Sequence, residues 1–167
     1  RQRQMCIRDS YSSQKMIIKE IREFNQKLTQ KGIRIIPVRI SDKRMLVYVY
    51  RPEKLKEDFS DETTQIILKC KGYDCTNLSQ CICRLIQKLQ SDPDFPHEIG
   101  LFLGYPAEDV KGFIENKAAC SKCSGCWKVY GDEQAARILF KKYKKCTEIY
   151  CRRWKSGVAV EQLTITI

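Results

Sequence analysis

Between residues 12 and 30 the apolar side chains Ile17, Ile21, Phe24 and Leu28 recur at spacings of four, three and four, the stripe of a helix with one buried face. Gly32 is placed to end it. The period then changes. Ile33, Ile35, Ile36, Val38 and Ile40 form a β-branched run, SDKR a polar turn and MLVYVY a second run, which together predict a β-hairpin over residues 33–50. Pro37 has no N–H to give to a ladder, so its strand must lie at an edge or carry a bulge.

Pro52 can open a helical stretch that runs through Ile67 and Leu68 and ends near Lys71 and Gly72. Leu78, Ile82, Leu85 and Leu89 repeat the four, three, four spacing and predict a helix that stops at SDPD. Two short helical pieces follow, PHEIGLFLG and PAEDVKGFIENK, each led by a proline suited to the first helical position. Glu108 and Asp109 fall in the first turn of the second, where the helix dipole favours them. WKVY, residues 127–130, reads as a third strand, and Gly131-Asp132 turns into the longest helix, about residues 133–154. Its apolar side is expected to bury Ala136, Phe140, Tyr143, Tyr150 and Trp154. Lys141, Lys142, Lys144, Lys145, Arg152 and Arg153 would form the solvated face. The predicted class is α+β: a small, mainly antiparallel sheet, the 33–50 hairpin plus strand 127–130, packed with several helices and a long C-terminal helix.

A chain of 167 residues with 43% hydrophobic content is long enough for one domain with a real core. It contains no run of about eighteen apolar residues and no basic segment leading into a short apolar one, so neither a membrane span nor a signal peptide is written in it. A cytoplasmic location is the expectation. The first ten residues, RQRQMCIRDS, resemble at every position the translation of a transposase sequencing adapter. They are therefore expected to be a scar outside the natural protein, with residues 11–167 a single domain truncated at its N-terminus. Those ten residues carry three arginines and one aspartate, so the rest of the chain keeps a net charge of +9 out of +11. They also carry one of the ten cysteines. The nine that remain are expected as thiols in a reducing compartment.

FPHEIGLFLGYPAEDVKGFIENK, the later GCWKVYGD, and Cys146 with Tyr150 in the last helix occur in the order seen in a bacterial family catalogued as domain of unknown function 3793. The resemblance also takes in VYVYRPEKL, residues 47–55, and so spans most of the chain after Tyr11. The resemblance implies a cytosolic protein with a further N-terminal segment. It implies no activity.

Candidate chemistry is sparse. Cys120, Cys123 and Cys126 stand at CxxCxxC spacing, and Gly125 could supply the positive φ of a tight loop, so three ligands to zinc or an iron–sulfur cluster are sterically allowed. A second CxxC or a CxxCxxCxxxCP run is missing, and the favoured reading is a loop of reduced cysteines made reactive by Lys117, Lys122 and Lys128. The lone His97 precedes Glu98, and Leu101 stands where an HExxH motif needs histidine. His97 is expected to cap or orient the short helix after Pro96, with a general-base role as the sharper alternative. Gly100 and Gly104 could admit a ligand, although Gly104 also suits a helix C-terminus. The leading functional expectation is a small-ligand, metal or redox-accessory binding protein. Its surface would combine His97, Glu98, Gly100, Gly104 and Tyr105 with the cysteine loop and Trp127.

Nucleic-acid or anionic-partner binding through the basic last helix is the rival, disfavoured because its aromatics are expected in the core. The piece after Pro106 bears Glu108, Asp109 and Glu115, the wrong sign for a recognition helix. The chain has no GxxxxGK[ST], GxGxxG or GxSxG motif, so an enzyme would need a dispersed site.

Overall fold

Pro37 acts as its chemistry requires. In the computed structural model, which describes residues 4–9, 14–40, 44–91 and 95–164, strand β2 (Arg34–Ile40) lies at a sheet edge and its register with β3 (Arg44–Tyr50) shifts between Pro37 and Arg39. The expected turn at 41–43 and most of the SDPD stop, 92–94, fall outside the described residues. The bulge turns Val38 into the core, where it is almost fully buried.

The chain forms two compact units, Arg1–Gly104 and Tyr105–Ile167. In the first, β3 runs between β2 and β1 (Gln4–Asp9), antiparallel to both. Residues 4–9, set aside on sequence as outside the fold, thus contribute a strand. Pairing uses main-chain groups, so it does not depend on where those residues come from. Helix α1 (Gln14–Leu28) approaches the free edge of β2. The Asn25 amide there accepts from Ile35 N–H (2.9 Å) and donates to Ile35 C=O (2.7 Å), taking the place of a neighbouring strand.

The helical stretch after Pro52 is two helices, α2 (Pro52–Phe59) and α3 (Glu62–Cys70). Asp61 divides them: its carboxylate accepts from Thr64 N–H at 2.8 Å and starts a new helix where the apolar pattern alone suggests a continuous one. Helix α4 (Leu78–Ser91) and the short α5 (Ile99–Phe102) complete this unit. Phe102 is central to its core. The ring meets Phe59 edge-on at 5.0 Å and Tyr73 at 5.4 Å, and its carbonyl accepts from the buried Tyr48 hydroxyl at 2.6 Å.

In the second unit, α6 (Ala107–Glu115), the short strands β4 (Cys123–Ser124) and β5 (Lys128–Val129), the long α7 (Glu133–Lys155) and α8 (Val160–Leu163) surround a small core of Trp127, Val129 and Ala136. The strand expected at 127–130 does not join the hairpin sheet. Lys128 and Val129 pair instead with Ser124 and Cys123 in a separate two-stranded antiparallel sheet. The class remains α+β. Pro106 stands just before α6 as its cap residue rather than in its first turn, and Pro96 precedes α5 by three residues.

Candidate functional site

The segment PHEIGLFLG is mostly a core element. Gly100, Leu101 and Phe102 are buried, and Gly104 adopts a φ of +73° as α5 ends, the helix-stop role its type suggested. His97 is exposed, and its carbonyl accepts from Gly100 N–H at 3.4 Å. The buried ionisable residue here is its neighbour Glu98, 3% exposed. Lys88 Nζ donates to Glu98 Oε1 at 2.8 Å and the Tyr73 hydroxyl donates to the same oxygen at 3.0 Å. The Lys88 ammonium also lies 4.6 Å from the centre of the Tyr73 ring and donates to Lys71 C=O. Burial pushes the Glu98 carboxyl up, but the Lys88 bond and charge outweigh it and hold the group below the usual glutamate value. Burial, and then the Glu98 charge, raise the Tyr73 phenol, so it remains a donor. This cluster joins α4 to α5. Sequence reasoning singled out Glu98 and missed Lys88 and Tyr73, because contacts between elements leave no local period.

Asp109 organises the second unit. One carboxylate oxygen accepts from the indole Nε1–H of Trp127 at 2.7 Å, and the other accepts from the main-chain N–H groups of Tyr130 and Gly131 at 2.7 and 2.8 Å. The residue is buried, so each of those bonds replaces a lost hydration partner. Around the indole, Tyr105 stacks at 4.8 Å and 24° while Phe140 meets it edge-on at 4.6 Å. Tyr105 and Trp127 are therefore brought together. His97, Glu98, Gly100 and Gly104 belong to the other unit.

The cysteine loop has a different logic from the expected one. Gly125 lacks a positive φ, and the left-handed residues are Lys117, Ala118 and Cys120. A Cβ at Gly125 would lie 2.3 Å from the Phe140 ring, so glycine is needed there for space. Cys123 packs against the Trp127 cluster as a small apolar group, while Cys120 and Cys126 are exposed. Lys122 and Lys128 direct their ammonium groups at the carbonyls of Gly131 and Ala118. Among the described residues no group of three or more His, Cys, Asp or Glu side chains is placed to hold a metal ion.

Helix α7 departs furthest from expectation. Its stripe packs on the core at Ala136, Leu139, Phe140 and Tyr143, over strands only two residues long, and farther along Tyr150, expected to be buried, is half-buried. Trp154, expected to be buried, is 61% exposed, and Ile149 is exposed as well. At about 1.5 Å per residue the indole lies some 16 Å beyond Tyr143 along the axis. The helix carries eight Lys or Arg against two Glu, so it holds +6 of the chain's +11. Arg137 is paired with Glu133 at 2.7 Å, whereas Lys141, Lys142, Lys144, Lys145, Arg152, Arg153 and Lys155 stand at exposed positions. Cations and an exposed indole thus share the C-terminal half of one helix. Among the described residues no helix is long and apolar enough to cross a membrane.

A family model described as "Protein of unknown function (DUF3793)" matches residues 4–164. No curated protein and no solved structure matches the chain.

Proposed function

This chain belongs to the DUF3793 family of proteins of unknown function, and for this member we propose binding of single-stranded nucleic acid through the C-terminal half of α7. The observation that carries the reading is Trp154, 61% exposed between Arg153 and Lys155. A solvated lysine face alone has no need of an indole. Arginine and lysine reach phosphates, and an exposed indole offers a flat face on which an unpaired base can stack. In a duplex the base faces are already stacked on each other, so the ring favours single strands.

A cytoplasmic setting belongs to the same proposal. Among the described residues nine free cysteines, six of them exposed, suit a reducing compartment in which nucleic acid is abundant. The small-ligand, metal or redox-accessory reading and that of an enzyme with a dispersed site gain no comparable support.

Fluorescence anisotropy of a labelled oligothymidylate, and of an RNA of matched length, tests the proposal. Trp154→Ala should weaken binding by ~10-fold, within the range that loss of one base–aromatic stack produces. Unchanged binding by that variant, or binding to poly-glutamate with none to either oligonucleotide, would overturn it in favour of a purely electrostatic or an acidic protein partner.

A further inference from the structure

The loop that enters α4 brings two thiols together. Asp74 folds its carboxylate onto the N–H and hydroxyl of Thr76 at 2.9 and 2.7 Å, and Asn77 caps α4 by accepting from Ser79 and Gln80 N–H at 3.0 and 3.2 Å. With both ends of the turn fixed, Cys75 sits half-buried within it and Cys81, one turn into α4, is fully buried. The Cys81 thiol donates to the Asp74 carbonyl at 2.8 Å, which holds it against the turn that carries Cys75, and each thiol shifts the titration of the other. The two thiols therefore belong to one turn before any reaction takes place. Burial raises both thiols, Cys81 to about 12, so the resting pair is reduced and protonated. Cys83, two residues after Cys81, is exposed on another face of α4, since residues two apart on a helix are turned well away from each other.

We propose that Cys75 and Cys81 form a reversible dithiol–disulfide site whose reaction partner is a low-molecular-weight disulfide of the glutathione class. Cys75 is the entry point because it is the more accessible of the two. Its thiol loses a proton and attacks one sulfur of the incoming disulfide; the Cys75–S–S–R bond forms, the incoming S–S bond breaks, and the departing thiolate takes up the proton as RSH. Cys81 then gives up its proton and attacks the Cys75 sulfur, forming the internal disulfide and expelling the second R group, which leaves as RSH. Two protein thiols are oxidised by two electrons, and one small disulfide is reduced to two thiols. Thiols held on one turn favour the second step over escape of the mixed disulfide. That preference separates this pair from a singly exposed cysteine.

The test uses the full chain, reduced, desalted and incubated with glutathione disulfide, with remaining thiols alkylated under denaturing conditions. Tryptic cleavage after Lys71 and Arg84 places Cys75, Cys81 and Cys83 in one peptide, 72–84, whose fragment ions assign each sulfur. The expected product has lost two hydrogens across Cys75 and Cys81, leaves Cys83 outside the link, and returns to thiols with dithiothreitol. Cys81→Ala should accumulate glutathione on Cys75. Cys75→Ser, which leaves the core untouched, should keep Cys81 a thiol. If Cys75 and Cys81 are both alkylated at a glutathione disulfide concentration that converts the exposed Cys146 and Cys151, or if the link forms to Cys83, the proposal is wrong.

Discussion

The indole N–H of Trp127 donates to Asp109 Oδ2 at 2.7 Å, joining residues eighteen positions apart, while Oδ1 of the same carboxylate holds the main-chain N–H groups of Tyr130 and Gly131. One side chain from the first turn of α6 therefore fixes the indole, the end of β5 and the entry to α7. Both helix and hairpin are short, so the second unit has little else to set their mutual position.

Removing that carboxylate should leave three donors without acceptors, the buried indole N–H and the partly buried N–H groups of Tyr130 and Gly131. Asp109→Ala is expected to destabilise the second unit by about 3 kcal/mol or more, taking ~1–3 kcal/mol for each abandoned donor with partial relaxation. Asp109→Asn should recover only part of the loss. Its oxygen can still accept from Tyr130 and Gly131, but its NH₂ then faces the indole N–H, donor against donor. Urea unfolding followed by tryptophan fluorescence would measure both. A variant with the wild-type midpoint would show that Asp109 does not organise this unit.

Glu98 gives the first unit an acid dependence. Its carboxyl is held below the ordinary value of 4.5, so as pH falls from about that value the unfolded chain takes up the proton first. The stabilisation is present in full above pH 4.5 and is lost as pH drops through the folded value. Glu98→Gln should cost about 3 kcal/mol at pH 7, the low end for breaking a buried pair, because the Lys88 side chain keeps 17% of its surface in water. The difference between the variant and wild type should shrink in acid. Denaturant midpoints at pH 7 and pH 3 would show it, and a difference that stays constant between them would contradict the assignment.

Phe140 occupies the space a side chain would need at Gly125. Gly125→Ala should therefore destabilise by about 1–3 kcal/mol as the ring is displaced from the edge of Trp127. Gly72 differs in kind: an added Cβ there would meet nothing within 4 Å, but its φ is +78°, so Gly72→Ala would act through backbone strain alone. Near-ultraviolet circular dichroism distinguishes the cases. The Gly125 variant should lose aromatic signal and the Gly72 variant should keep it.

Much of this architecture could be read locally. The four, three, four spacings place α1 and α4 within a few residues, and the missing N–H of Pro37 announces both the edge and the bulge. Features that depend on distant partners could not be read this way. Nothing near Asp109 indicates that its carboxylate reaches residue 127, and nothing near WKVY shows that β5 pairs with the cysteine loop rather than with the hairpin. The stripe of α7 was legible as a stripe. Its burial was not, because burial depends on how far the opposing hairpin extends, and β4 and β5 stop short. The site followed the same division: Tyr105 and Trp127 were visible as candidates, while the approach of Cys81 to the turn that carries Cys75 was hidden in a segment without periodicity.

The proposed function is tested most directly by the salt dependence of oligothymidylate binding to the wild-type chain and to an Arg152→Ala, Arg153→Ala double variant. Both arginines are exposed, so stability should change by no more than ~0.5 kcal/mol. If α7 tracks the phosphate backbone, log K should fall linearly with log salt. Loss of two phosphate contacts should make that slope shallower by about 1.4, at ~0.7 per single-stranded phosphate. Binding that does not respond to salt, or the same slope in both proteins, would contradict nucleic-acid recognition by this helix.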